Sequence, residues 1–197
     1  MAGCWLGECH YITQGNYYAL SVMHLTRKLL EQIGINPKRL RLEWVSASQG
    51  SRFAELMTDF PRQLSELGPL GTGEGIDEKG LKIKLEAATK LIPYIKVLER
   101  KRLNVHFETE EEYDKYFARD EFNKLFRELI TDKLVMSEIM LLLREGPLSS
   151  GEISKILDLS QSEVSRHLNS STRQGLVTFD EEQKRFALAK AKEPAQA

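Results

Sequence analysis

Cysteine is scarce in this chain: two residues in 197, Cys4 and Cys9. One pair cannot supply the crosslinked framework of a small secreted domain. The N-terminus also lacks the basic segment and apolar core of a secretory signal, since Glu8 and His10 interrupt it. A reducing cytoplasm is the expected setting, where such a pair more often binds metal or changes redox state than crosslinks. Long apolar runs are absent: nothing approaches the roughly 20 residues of a membrane span, so no membrane partner is expected. Neither sign of charge dominates, with 28 Lys and Arg against 29 Asp and Glu. Residues 1–75 carry 7 basic and 7 acidic side chains, 76–132 carry 12 and 13, and 133–197 carry 9 and 9. No strong field for nucleic acid or anionic lipid follows. No G-x-S-x-G, paired-carboxylate, Walker or Rossmann pattern and no nucleophile–base arrangement occurs, so the expected catalytic set is empty.

What is present begins at the N-terminus, in Gly3-Cys4-Trp5-Leu6-Gly7-Glu8-Cys9-His10. C-x4-C is the opening spacing of one common iron–sulfur arrangement, which takes four thiolates, so two ligands must come from elsewhere. Gly3 and Gly7 would let backbone N–H groups approach a cluster sulfur, and His10 reads either as a ligand or as a hydrogen-bond donor beside one. A zinc site from Cys4, Cys9 and His10 lacks an evident fourth ligand. A Cys4–Cys9 disulfide is sterically possible but disfavoured in a reducing compartment. His24, His106 and His167 form no spaced ligand set with His10, and His167 is expected to pack or to point outward.

Three regions follow along the chain. In residues 1–75, Leu20, Met23, Leu29, Leu30 and Ile33 fall at helical spacing over 16–33, and Gly34 closes that helix. Residues 40–45 alternate apolar and charged as a strand. A second helix over 49–67 puts Phe53, Leu56, Met57, Phe60 and Leu64 on one face, with Pro61 expected to kink or restart it. One strand between two helices cannot make a sheet, so the region reads as the second half of a domain or else as a small α-rich subdomain. Residues 68–75 hold four glycines and a proline and read as a linker. They lack the Lys-Ser/Thr ending of a phosphate loop.

Residues 76–132 read as a charged helical connector. One helix covers 81–98, bent near Pro93, and another starts at Thr109 with three glutamates suited to its dipole. Arg100-Lys101-Arg102 reads as a basic helix end, and residues 108–114 as a solvated helix start rather than a chelator.

In 133–190 a helix lined by Val135, Ile139, Leu142 and Leu143 ends at Gly146-Pro147. Two capping boxes, Ser149-Ser150-Gly151-Glu152 and Ser160-Gln161-Ser162-Glu163, open a short helix over 153–157 and a third reaching about Arg173. Strands over 176–179 and 185–188 flank a polar turn. Helix, short helix, helix and hairpin make a winged helix-turn-helix. The expected fold class is therefore α+β, mainly helical: an incomplete flavodoxin-like α/β half-domain, a helical linker region, a C-terminal winged helix-turn-helix, and a disordered tail over 191–197.

Ser162-Glu163-Val164-Ser165-Arg166-His167-Leu168 resembles the recognition helix of ArsR-like repressors. Gln161, Ser162, Ser165, Arg166 and Asn169 would then face a DNA major groove, with Lys184 and Arg185 on phosphate. Against DNA, residues 133–190 carry 8 basic and 8 acidic side chains, and Asp180, Glu181 and Glu182 lie on the wing. A docking or dimerisation module is the other reading.

Gly3 through Tyr11, then Gly15-Asn16-Tyr17, then Arg39-Leu40-Arg41-Leu42-Glu43-Trp44-Val45-Ser46-Ala47 resemble the iron–sulfur (delta) subunit of methyl-viologen-reducing hydrogenases, over roughly residues 3–70. The resemblance implies a [2Fe-2S] cluster with Cys4 and Cys9 as thiolates and His10 and Trp5 beside it. It implies a non-catalytic subunit that passes electrons between a hydrogenase or formate dehydrogenase and the flavin-containing, A-type flavoprotein of heterodisulfide reductase. That family's domain begins with a further half carrying strands and cysteines. Here a separate polypeptide would supply it, or Met1 lies inside a longer reading frame, for example one with an upstream selenocysteine codon. The competing expectations are a redox- or metal-responsive winged-helix transcription regulator and a structural adaptor without cofactor.

Overall fold

A computed structural model describes residues 2–11, 15–103 and 105–189. The chain is α+β and mainly helical. It divides into two compact units: Met1–Leu81 with Ile92–Glu128, and Lys82–Leu91 with Leu129–Ala197. The tail expected over 191–197 lies outside the described residues.

The first unit opens as β-α-β. Strand β1 (Ala2–Gly3) pairs in parallel with β2 (Glu43–Trp44), Ala2 opposite Glu43 and Gly3 opposite Trp44. Val45 N–H continues the ladder to the Gly3 carbonyl at 2.8 Å. Two findings correct the reading of one strand over 40–45: a second strand exists, and β2 is only two residues long. Pairing limits it, because β1 offers only two residues, and a 3-10 turn at Pro37–Arg39 occupies the approach. Two residues carry no periodicity, which is why β1 is invisible to pattern.

Between the strands runs α1 (Asn16–Gln32), which buries Leu20, Met23 and Leu25. Gly34, with φ of 76°, turns the chain out of it. The helix α2 (Gly50–Leu67) passes through Pro61 without the expected restart. Residues 68–75 are not a free linker. The Glu74 carboxylate accepts from Arg39 Nε at 2.5 Å, Gly71 N at 2.9 Å and Asn36 N at 3.2 Å, while Arg39 also donates to the Gly68 and Leu67 carbonyls. Both charged side chains are nearly buried. Glycine content signalled freedom; these glycines instead permit a tight wrap around one guanidinium.

Asp77, accepting from Gly80 N, caps α3 (Glu78–Leu98) three residues before the expected start. The basic stretch after it forms a wide π-turn, Glu99–Leu103, in which Glu99 is buried and accepts from Tyr18 Oη at 3.2 Å. Thr109 and Glu112 box the start of α4 (Glu110–Ala118), and α5 (Asp120–Phe126) follows. Their rings gather on α1: His24 stacks on Phe117 at 4.7 Å, and Phe117 meets Phe122 edge-on at 4.7 Å.

In the second unit, Ile83, Ala87 and Ala88 from the middle of α3 are buried, as are Ile130 from the π-turn Arg127–Thr131 and Leu134, Ile139 and Leu142 of α6 (Asp132–Glu145). Glu138 of α6 is also buried, and its Oε1 has no hydrogen-bond partner. Both expected capping boxes form, Ser149–Glu152 on α7 (Ser150–Leu157) and Ser160–Glu163 on α8 (Gln161–Arg173). The wing is β3 (Val177–Asp180) antiparallel to β4 (Arg185–Leu188), one residue later on β3 than expected, with Leu148 making an isolated antiparallel bridge to Phe186. Among the described residues no helix is long and apolar enough to cross a membrane.

Candidate functional site

The two cysteines lie on one reversing loop between β1 and α1. Glu8 N–H donates to the Trp5 carbonyl at 3.0 Å, and Gly7 takes the left-handed φ of 83° that the turn requires. Asn16, at the first turn of α1 and 4 % exposed, clamps this loop. Its Nδ2 donates to the Cys4 carbonyl at 3.2 Å and to the Trp5 carbonyl, while its Oδ1 accepts from Tyr17 N at 3.0 Å. On the far side of the loop, Gly15 packs so closely on Cys9 Sγ and the Tyr11 carbonyl that no side chain fits there.

A second clamp comes from α2. Trp5 Nε1 donates to Gln49 Oε1 at 3.0 Å, the same oxygen accepts from Ser46 N at 3.0 Å, and the Arg52 guanidinium lies 5.4 Å above the Trp5 ring. That geometry commits the Trp5 N–H to Gln49, leaving the ring, not a donor, for any bound group. Cys4 is exposed, Cys9 half-buried, and both are free thiols. The disulfide alternative is therefore not realised. His10 is exposed and its ring meets Tyr11 edge-on at 5.7 Å. Among the described residues no three His, Cys, Asp or Glu side chains are placed to hold a metal, which corrects the zinc alternative built from Cys4, Cys9 and His10. The donor chemistry fits an iron–sulfur cluster in kind and in part: two thiolates, in a loop held from both sides, out of the four usually required.

Asn16, Gln49 and Arg52 are the residues sequence reading missed. Asn16 read as a helix start, and the side chain of such a residue normally faces its own helix. Nothing in the order of residues announces that it reaches back to the loop.

On the winged unit, Gln161, Ser162, Arg166 and Asn169 are exposed on α8 and Ser165 is half-buried. Ser162 Oγ already shares a hydrogen bond with Ser160 Oγ at 3.0 Å. Arg166 donates to Asp132 at 3.2 Å and lies 3.3 Å from His167 Nε2. His167 is buried, and burial first, then the Arg166 charge, hold its pKa below the usual histidine value. Arg185 is engaged within the unit, bonding the Pro147 carbonyl at 2.8 Å and Glu152 at 2.9 Å. It fastens the wing to α7. Lys184 remains exposed, at a left-handed φ of 53°.

Comparison with known proteins matches residues 1–68 to the family of the methyl-viologen-reducing hydrogenase, delta subunit; residues 135–178 match the bacterial regulatory proteins of the arsR family. The chain is 52% identical over 69 residues to the D-type iron-sulfur subunit of the F420-non-reducing hydrogenase of Archaeoglobus profundus, covering 35% of this chain and 50% of that one. It is 44% identical over 72 residues to the A-type subunit of the ferredoxin:CoB-CoM heterodisulfide reductase of Methanosarcina mazei, covering 36% and 9%. The D-type iron-sulfur subunit of the vhc F420-non-reducing hydrogenase of Methanococcus voltae is 35% identical over 69 residues, covering 35% and 47%. The chain thus spans about half the length of the hydrogenase iron-sulfur subunits it matches. No solved structure matches it. Residues 1–68 are accordingly similar to the hydrogenase delta subunit, and they are joined here to a winged helix-turn-helix similar to that of arsR-family regulators.

Proposed function

We propose that this chain is a cytoplasmic electron-transfer iron–sulfur subunit, or a segment of one. It would link a hydrogenase or a formate dehydrogenase to the flavin-bearing, A-type flavoprotein of a heterodisulfide reductase-type complex in anaerobic metabolism. One observation carries the reading: two free thiols on a doubly clamped loop, within a segment 52% identical to a protein named as an iron-sulfur subunit.

A [2Fe-2S] cluster bound here supplies one-electron carriage. Cys4 and Cys9 would provide two of its thiolates, and the others would come from outside the described residues. Asn16 fixes the Cys4 carbonyl and thereby the aim of the thiol. Trp5, locked by Gln49 and Arg52, screens the loop from water, and His10 stands beside Cys9 as an exposed N–H donor. In this organisation residues 1–75 form the redox segment, 76–132 the connector and 133–190 a docking module.

The native complex, isolated without oxygen, should contain iron and labile sulfide that Cys4→Ser and Cys9→Ser each remove. Expressed alone, the chain should hold no stable cluster. A native complex with no iron or sulfide attributable to this chain sinks the reading.

The second reading, a redox- or metal-responsive transcription regulator, is favoured by the arsR match and by the exposed side chains of α8. Salt-dependent, sequence-selective DNA binding that changes with Cys4→Ser supports it; no binding at low salt removes it. The pairing of Arg185 with Glu152 and the acids of the wing weigh against it.

A further inference from the structure

The hairpin β3–β4 is closed on one side only. On the far side of β4, Phe186 N–H donates to the Leu148 carbonyl at 2.7 Å, and the Phe186 carbonyl accepts from Leu148 N–H at 3.0 Å. Among the described residues, no strand pairs with the outer side of β3. Which backbone groups face that open side follows from the register. Ala189 N–H donates to the Leu176 carbonyl at 2.9 Å, with Thr178 opposite Ala187 and Asp180 opposite Arg185. In an antiparallel ladder alternate residues spend their N–H and C=O on the partner strand, so Leu176, Thr178 and Asp180 face β4. Val177 and Phe179 turn theirs to the open edge. An edge of this kind takes up a further strand, and natural sheets blunt it with proline, lysine or a bulge. β3 reads Val-Thr-Phe-Asp and keeps an unbroken register, so it has none of these.

Side chains and charge say what kind of strand fits. Phe179 is 43% exposed although its ring packs on Phe186 at 4.7 Å, and Leu176 is 44% exposed. Alternation along the strand puts Phe179 on one face of the hairpin and Leu176 on the other, so apolar surface flanks the edge on both. At the end of β3, Asp180, Glu181 and Glu182 are all exposed. Asp180 Oδ1 accepts from Glu182 N at 2.9 Å and from Gln183 N at 3.0 Å, which folds the turn and keeps the three acids at one end of the strand. Of the two bases that follow, Arg185 is tied to Glu152 at 2.9 Å, leaving Lys184 against three acids. Phosphate is repelled by such a tip, and lysine and arginine are drawn to it. A second copy's β3 brings no basic residue, so it matches the edge in shape but not in charge.

We infer that the outer edge of β3 is a docking site for a basic, extended segment of another protein, which adds to the wing as a strand. The segment's main chain meets the N–H and C=O groups of Val177 and Phe179, and an apolar residue of it lies on the Phe179 ring. Its lysines or arginines meet Asp180, Glu181 and Glu182. The inference rests on the docking role proposed for residues 133–190 and on nothing at the cysteines. It gives that role a surface and a partner chemistry.

The test uses the full chain and, as the probe, a short peptide of alternating lysine and valine. At low salt the peptide should bind with a Kd below about 1 mM and should weaken as salt rises. Amide exchange followed by NMR should slow by about tenfold or more at Val177 and Phe179 and stay unchanged along α8. The same peptide with glutamate in place of lysine should not bind. Glu181→Lys/Glu182→Lys changes exposed side chains. With its fold checked by circular dichroism, it should bind the lysine peptide about tenfold or more weakly. Failure of the lysine peptide to bind, equal binding of the glutamate peptide, protection confined to residues outside β3, or undiminished affinity of the double variant each overturn the inference. So does protection of the same amides without peptide, by a second copy or by residues 190–197, or their protection by duplex DNA. Cys4→Ser/Cys9→Ser should bind the peptide as the parent does, and a loss there also overturns the inference. Peptide binding with no iron in the native complex leaves the edge standing and removes the cluster reading. Iron in the native complex without peptide binding removes the edge alone.

Discussion

The side-chain amide of Asn16 reaches back to the Cys4 carbonyl at 3.2 Å while its own oxygen holds the Tyr17 N–H, so one buried residue ties the cysteine loop to the start of α1. Removing it leaves two carbonyls and an N–H without their partner in a partly buried site. Asn16→Ala should cost about 1–3 kcal/mol. Asn16→Asp should be worse near neutral pH, because a carboxylate then faces two carbonyl acceptors. Iodoacetamide labelling of Cys4 and a melting curve check both points; unchanged labelling and melting would show the clamp to be idle.

Gly15 tests the other side of the loop. A Cβ at Gly15 would collide with Cys9 Sγ and the Tyr11 carbonyl, so Gly15→Ala acts on the loop through that contact. The substitution should displace the Cys9 thiol, altering its labelling rate more than that of Cys4 and lowering iron content in the native complex. Gly50→Ala, which meets nothing, serves as the neutral control.

The Arg39–Glu74 pair carries a pH signature. The hydrogen bond from Arg39 holds the Glu74 carboxyl below its ordinary pKa, so its contribution is fully present above the unfolded-state value near 4.5 and is lost as pH falls through the folded-state value. Arg39→Ala should cost on the order of 3 kcal/mol at pH 7, since it strands a nearly buried carboxylate. The deficit should shrink in acid. Chemical denaturation at pH 7 and at about pH 3 reads the difference, and a deficit equal at both would disprove the assignment.

Glu138 runs the other way. Burial raises its pKa, with Lys84 opposing, and Oε1 is unpartnered. A raised folded-state pKa means stability that is intact below the unfolded-state value and erodes as pH rises through the folded-state one. Glu138→Gln should therefore raise the unfolding free energy near pH 7 by on the order of 1 kcal/mol and leave it nearly unchanged at about pH 4, as denaturation at the two pH values would show. A variant less stable than the parent at pH 7 would overturn the reading that burial of the charged form costs stability.

How much was legible follows from which forces are local. The expected capping boxes at Ser149 and Ser160 and the expected helix start at Thr109 all form, because cap, helix and hydrogen bond lie within four residues of one another. The winged unit was readable for the same reason, its helices and hairpin being short-range objects. Cys4 and Cys9 were readable as thiols of interest from spacing alone. What holds them was not: Asn16, Gln49 and Arg52 act across 11 to 47 positions, and Gln49 looked like any polar helix start. The loop over 68–75 misled because composition reports backbone freedom and is silent about a guanidinium thirty residues earlier. β1 was lost because two residues cannot display a period.

The stretch Lys82–Leu91 belongs to the winged unit although it lies some forty residues ahead of the rest of it. Cutting the chain at residue 129 or 133 would therefore yield a fragment stripped of Ile83, Ala87 and Ala88, with raw apolar surface where they had been. The winged module therefore cannot be exchanged at a single junction, because the boundary between the two units falls twice within α3, after Leu81 and after Leu91.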